Sequence, residues 1–182
     1  LSENGKVVIV HNGIIENSRT LRALLQKKGV VFNSETDSEV ISHVLEYELG
    51  RDNSPTEALR RTLSKLVGTW GLCAIFLEHE VIMCATNGSP LIIGQGDGEI
   101  FVSSDPHALA MHTQRVVYMD DGYIATLTID EITMSNMHGE SFDTDITVLE
   151  EEWQEAELGE FEHYMLKEIY EQPDSLRQCI NG

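Results

Sequence analysis

The segment His11-Asn12-Gly13-Ile14-Ile15-Glu16-Asn17 follows an apolar run, Val7 to Val10, and precedes a helical pattern. Placed at a strand end, Asn12 and Gly13 sit where backbone can approach a ligand closely. The Asn12 side-chain amide and the Gly13 N–H are adjacent donors, the chemistry needed to hold an oxyanion when a carbonyl is attacked. Asn-Gly is equally a common turn dipeptide, so a plain turn is the competing account. Asp37 presents a similar pair of alternatives. In the first turn of a helix its carboxylate is favoured by the macrodipole, and at the same place it could bind a substrate ammonium group. Local sequence does not separate the two.

Other reactive residue types point away from chemistry. The histidines stand at 11, 43, 79, 107, 112, 138 and 163. His107 and His112 are five apart, whereas a metal held on one helical turn needs a spacing of four, so no metal site is expected. Cys73, Cys84 and Cys179 form no C-x-x-C pair and no even framework, which predicts free thiols and a cytoplasmic, reducing compartment. Cys73 and Cys84 lie in apolar strands and read as packing residues. Gly94-Gln95-Gly96-Asp97-Gly98 joins two strands and opens no helix, so it reads as a hairpin loop and not a phosphate cradle. No cofactor is expected.

The elements that must position Asn12, Gly13 and Asp37 can be read from periodicity. One helix runs from a cap at Asn17 through Leu21, Leu24 and Leu25 to Gly29, which suits the left-handed position after a helix end. Two capping boxes, Thr36 to Glu39 and Ser54 to Glu57, open two more helices. Val40, Ile41, Val44, Leu45 and Leu49 line one face of the first, and Leu59, Leu63, Leu66 and Val67 one face of the second. Strands are expected at 6–10, 30–32, 69–77, 81–85, 91–94, 100–103, 115–118, 122–129 and 132–135. A two-residue turn at Glu78-His79 would set Cys73 opposite Cys84. Cys73, Ile75, Leu77, Ile82 and Cys84 then share one face, and Leu72, Ala74, Phe76, Val81, Met83 and Ala85 the other. A hairpin apolar on both sides must be covered twice. Helices cover one face and a second sheet, drawn from the strands between 91 and 135, covers the other, which gives an α+β helix-sheet-sheet-helix sandwich.

Composition narrows the partners. The 182 residues carry 12 Lys and Arg against 31 Asp and Glu, a net charge of −19, which repels phosphate backbones and anionic lipid surfaces. Nucleic acid and membrane are therefore not expected as partners, and no apolar run approaches the roughly 18 to 20 residues of a membrane span. Thirteen acids fall between Glu140 and Asp174 against one base, Lys167. Like charges at that density predict an exposed acidic arm or linker over 139–160. The first residues hold neither a signal-peptide pattern nor an initiating Met, which suggests part of a longer protein.

HNGIIENSRTLR (11–22), FNSETDSEVISHVL (32–45), GSPLIIG (88–94), SSDPHAL (103–109) and HYMLKEIYEQP (163–173) resemble, in this order, the glutamine-dependent fructose-6-phosphate aminotransferase family, which makes glucosamine 6-phosphate. The first two motifs resemble class II glutamine amidotransferases generally, and the last looks like that family's junction between glutaminase and sugar isomerase domains. The resemblance implies a four-layer αββα fold of the N-terminal nucleophile hydrolase type, incomplete here. It implies residues 1–138 as the carboxy-terminal part of a glutaminase domain and 161–182 as the junction beyond the acidic arm. Asn12 and Gly13 would form the oxyanion hole, Gly13 and Asp37 would bind glutamine, and the full enzyme would be a homodimer carrying its own sugar isomerase domain. The nucleophile of such enzymes is an N-terminal cysteine, expected upstream of Leu1, so these residues alone should be inactive. Two alternatives stand beside this reading: a noncatalytic glutamine-sensing or scaffolding module, and the glutaminase of another class II amidotransferase, such as the one acting on phosphoribosyl pyrophosphate.

Overall fold

The computed structural model describes residues 1–128, 131–149, 159 and 161–181. They divide into two units, Leu1–Glu150 and Glu151–Gly182. The first unit opens with strand β1 (Val7–Ile15) and three helices, α1 (Ser18–Gln26), α2 (Asp37–Leu49) and α3 (Pro55–Leu63). Strands β2 (Gly68–Phe76), β3 (Val81–Asn87), β4 (Ile92–Gln95) and β5 (Ile100–Ser103) follow, then the single turn α4 (His107–Ala110). Strands β6 (Arg115–Tyr118), β7 (Tyr123–Leu127), β8 (Ile132–Asn136), β9 (Ser141–Phe142) and β10 (Thr147–Val148) complete it. One antiparallel sheet has the order β1-β2-β3-β7-β8-β9 and the other β10-β6-β4-β5.

The two-faced hairpin organises this arrangement. Cys73 stands opposite Cys84, as the constant index sum requires. Its turn is longer than expected: the ladder closes at Phe76 and Val81, and a 3₁₀ turn over Leu77–His79 is followed by Glu80 at φ 52°. Leu72, Ala74, Phe76, Met83 and Ala85 are buried with Val40, Ile41, Leu45, Leu59 and Leu63 of the helices. On the opposite side, Cys84 is buried with Leu91, Ile93 and Val117 of the second sheet. Leu109 of α4 reaches Gly94 on the outer face of that sheet, where Ile92 and Val116 are also buried. The class is α+β, with three helices on one sheet and a single turn on the other.

Several expectations need correction. Strands β7 and β8 do not join the second sheet: β7 pairs with β3 and widens the first. Their alternation suits either place, since Ile124 faces the helices while Ala125, Leu127 and Met134 face the second sheet. Residues 30–32 are not a strand. Phe32 is instead clamped between the Arg22 guanidinium, 4.2 Å from its ring centre, and the edge of His43 at 4.7 Å. Helix α3 stops at Leu63, and Val67 is exposed instead of sharing its apolar face. Asn17 stands at the N-cap of α1 as expected, but its side chain makes no cap bond and binds the Lys65 carbonyl and the Val67 N–H instead. Gly29 does close α1, at φ +93°, with its N–H on Gln26 and that of Val30 on Leu25. Within 139–160, β9 pairs with β8 and β10 with β6, so this stretch starts as part of the sheets. Residues 150–158 and 160 lie outside the described residues.

Both expected caps form at α2 and α3, where Thr36 and Ser54 accept from the N–H groups of Glu39 and Glu57. The Glu39 carboxylate does not return to Thr36. It accepts the N–H groups of Asn33 and Ser34 and the Ser34 hydroxyl, each at 2.7 Å. Burial raises its pKa, yet these bonds and His43 outweigh burial and bring it down from 4.5 to about 2. A depressed carboxylate stabilises the fold fully above its unfolded value and loses that contribution as pH falls through the folded one. Stability should therefore drop from about pH 4.5 toward about pH 2. In Glu39→Gln this part of the urea-midpoint against pH curve should flatten, and an unchanged slope would assign the acid sensitivity to other groups.

The second unit contains one described helix, α5 (Tyr164–Asn181), with Pro173 inside it. Phe161 packs against Tyr170 with ring centres 5.6 Å apart. Among the described residues, no helix is long and apolar enough to cross a membrane.

Candidate functional site

Strand β1 does not end at Val10. It runs through His11, Asn12 and Gly13 to Ile15, paired throughout with β2, so Asn12-Gly13 is strand and not turn. Gly13 lies opposite Trp70 at φ +130°, and a Cβ there would come 2.2 Å from the Thr69 carbonyl oxygen. Gly68, opposite Ile15 at φ +128°, meets the Ile14 carbonyl in the same way. Side chains at either position would force the two strands apart.

Strand β1 is the terminal strand of its sheet, and its main-chain groups alternate in direction. Even-numbered residues turn toward β2: the Lys6 carbonyl accepts from Leu77, and the Ile14 N–H reaches the Thr69 hydroxyl. Odd-numbered residues turn the other way. Val7 exchanges bonds with Ser2, and the Ile15 N–H donates to Asp37 Oδ2 at 2.8 Å. Gly13 shares the parity of Ile15, which directs its N–H to the open edge. The Gly13 N–H and the Asp37 carboxylate thus lie along one edge, two residues or about 7 Å apart.

Side chains alternate as well. Val10 and Asn12 project toward the second sheet into a cavity of about 280 Å³, whose wall includes Cys73, Leu91, Ser103 and Ser104. His11 projects to the helix side. Its ring is buried, with Nδ1 3.1 Å from the Ser38 hydroxyl and 4.0 Å from Asp37 Oδ1. A larger cleft of about 400 Å³, with Asp120, Asp143 and Asp145 on its wall, contains none of the candidate residues. Its acidic lining suits no oxyanion. Asp37 is the first residue of α2 and is partly exposed, so it is both a helix-terminal carboxylate and the tie between α2 and β1. Among the described residues, no three His, Cys, Asp or Glu side chains converge as a metal site.

Two neighbours of this site, His11 and Cys73, were not singled out for it from sequence. Strand parity is the signal that finds them: extending β1 to Ile15 puts His11 on the helix side beside α2, and pairing Asn12 with Gly71 places Cys73 beneath Val10. Both follow only once β1 is known to continue past Val10.

Residues 1–111 match the family model of the glutamine amidotransferase domain. The chain belongs to this family. Among the relatives of this chain, the glutamine–fructose-6-phosphate aminotransferase of Vibrio parahaemolyticus is 41% identical over 180 residues, which is 98% of the chain and 30% of that protein. The corresponding enzyme of Thermococcus kodakarensis is 42% identical over the same shares. The chain therefore spans about 30% of the length of these curated relatives. In three dimensions the chain resembles glutamine phosphoribosylpyrophosphate amidotransferase of B. subtilis, with TM-score 0.63 and 20% identity over 75% of this chain and 30% of the other. It also resembles a class-II glutamine aminotransferase domain protein of Silicibacter pomeroyi, with TM-score 0.50 and 16% identity over 72% and 66%. These structures share its α+β fold.

Proposed function

We propose that this amidotransferase chain forms part of a glutaminase that hydrolyses glutamine to glutamate and ammonia, and that the longer protein uses the ammonia to convert fructose 6-phosphate to glucosamine 6-phosphate. One observation carries the first half: the Ile15 N–H binds the Asp37 carboxylate two residues along β1 from Gly13, whose strand parity turns its N–H to the same edge, and Asn12 adjoins Gly13 in the strand. An extended glutamine has an amide carbonyl at one end and an ammonium at the other, and this edge offers donors to the first and a carboxylate to the second. As a nucleophile adds to the amide carbon, the oxygen gains charge and the Asn12 and Gly13 donors stabilise it. Asp37, bound at Oδ2 by Ile15, keeps Oδ1 for the substrate ammonium. The nucleophile would come from an N-terminal cysteine upstream of Leu1, whose own amine serves as base.

The choice of sugar phosphate rests on identity near 40% to fructose-6-phosphate aminotransferases across almost the whole chain. Residues 1–138 then belong to the glutaminase domain, together with the short strands that follow, and 161–182 lead toward a sugar isomerase domain in a cytoplasmic homodimer. The 182-residue chain by itself should release no ammonia from glutamine. Activity above a heat-killed control would assign the nucleophile to an internal thiol.

In the intact protein, Asn12→Ala should lower kcat for glutamine hydrolysis by about 10² to 10³, the cost of one oxyanion donor. KM should change little, because the donor acts on charge that exists only in the transition state. Glutamate release in steady state measures both. Near-normal turnover would remove Asn12 from the mechanism and leave it as a strand residue on a cavity wall.

A further inference from the structure

Cys73 and Cys84 are direct partners across the β2–β3 ladder. Opposed residues in antiparallel strands have Cα atoms about 4.5 or 5.5 Å apart, and both separations lie within the span a disulfide bridges. The two thiols are free, and Cys73 packs against the buried cluster that contains Cys84, so both side chains lie on the same face of the ladder. Their environments differ. Cys84 is fully buried in the layer between the sheets, whereas Cys73 is partly exposed and lines the cavity of about 280 Å³ that also holds Asn12. A small polar oxidant can therefore reach Cys73 through the cavity, whereas Cys84 is closed to solvent.

We infer that Cys73 and Cys84 form a reversible dithiol–disulfide site oxidised by hydroperoxides. The Cys73 thiolate attacks a peroxide oxygen, the O–O bond breaks, and hydroxide leaves and takes up a proton as water; the product is a Cys73 sulfenic acid. The Cys84 sulfur then attacks the Cys73 sulfur, the S–O bond breaks, and a second water carries away the hydroxyl and the Cys84 proton. Two thiols lose two electrons and two protons, and one peroxide becomes two waters. The hydrogen bond from Cys84 lowers the Cys73 pKa and raises that of Cys84, with burial adding to the rise, which fits Cys73 as attacking thiol and Cys84 as resolving thiol. The cross-link would fix β2 to β3 two residues from Gly71, the strand partner of Asn12. This inference is independent of the glutaminase reading.

The test uses the 182-residue chain with Cys179→Ser, which removes the exposed thiol, treated with hydrogen peroxide. Intact mass should fall by two hydrogens, both thiols should become unreactive to a thiol reagent after denaturation, and dithiothreitol should restore them. Peptide mapping should recover Cys73 joined to Cys84. With Cys84→Ala added, Cys73 should stop at the sulfenic acid and be trapped by a 1,3-diketone. With Cys73→Ala added, Cys84 should stay reduced, and this second variant decides the matter if the first does not fold. Added oxygen on Cys73 without a cross-link in the parent protein would overturn the inference, as would two thiols still reduced after peroxide treatment.

Discussion

Glu48→Ala is expected to lower the stability of the domain by about 3 to 5 kcal/mol, the cost of removing one partner from a buried ion cluster. The Glu48 side chain is 1% exposed on α2 and accepts from Arg51 Nη1 at 3.0 Å, Arg61 Nε at 2.9 Å, and Lys65. Arg61 also donates to the Glu48 carbonyl and to both oxygens of Asp52, so α2, α3 and the loop between them meet at one carboxylate. Burial opposes ionisation of Glu48, yet the hydrogen bonds from Lys65, Arg51 and Arg61 hold its pKa below the ordinary value. Its contribution is therefore complete at neutral pH and fades as pH falls below the carboxylate range. Deleting the carboxylate removes the anion that Arg51, Arg61 and Lys65 share, leaves Asp52 to pair with Arg61 alone, and adds a void beneath the helices. Urea denaturation at pH 7 measures the loss. A change below about 1 kcal/mol would show that desolvation had already cancelled the attraction within the cluster.

The sequence announced this helix layer better than it announced the cluster that ties it. The apolar faces of α2 and α3 recur at helical spacing, and Val40, Ile41, Val44, Leu45 and Leu59 are all buried. Glu48 carries no such signal: it lies one residue before Leu49 and reads as a solvated acid until α3 brings Arg61 and Lys65 to it. The same limit explains the misplaced sheet boundary. Period-two alternation tells which residues of Tyr123–Leu127 share a face but not which edge the strand joins, and only the free edge of β3 decides it. For the site, residue type was informative and local geometry was not. An Asn-Gly pair favours turns in isolation, and here the close crossing of β1 and β2 at Gly13 and Gly68 draws it into the ladder. That tertiary demand turns a Gly13 main-chain group to the open edge.

Asp37→Asn separates the two accounts of this residue that sequence left standing. As a first-turn carboxylate it contributes about 0.3 to 1 kcal/mol through the helix dipole and nothing specific to turnover. The geometry adds a mechanical part, because Asp37 Oδ2 accepts the Ile15 N–H and joins α2 to β1. Asparagine keeps an amide oxygen for that bond, so the strand and helix should remain joined and the fold should survive. What asparagine cannot supply is the negative charge. If Asp37 binds the glutamine ammonium, the variant leaves that charge unpaired in the complex, at a cost of about 2 to 5 kcal/mol by comparison with truncated buried charge pairs. At about 1.4 kcal/mol per tenfold, kcat/KM for glutamine in the intact protein should fall by between about 30-fold and several thousand-fold. Synthesis driven by free ammonia bypasses the glutamine site and should be spared, which distinguishes a lost ligand from a damaged fold. Unchanged kcat/KM together with a slightly lowered melting temperature would leave Asp37 as the tie between α2 and β1 and place the glutamine ammonium elsewhere.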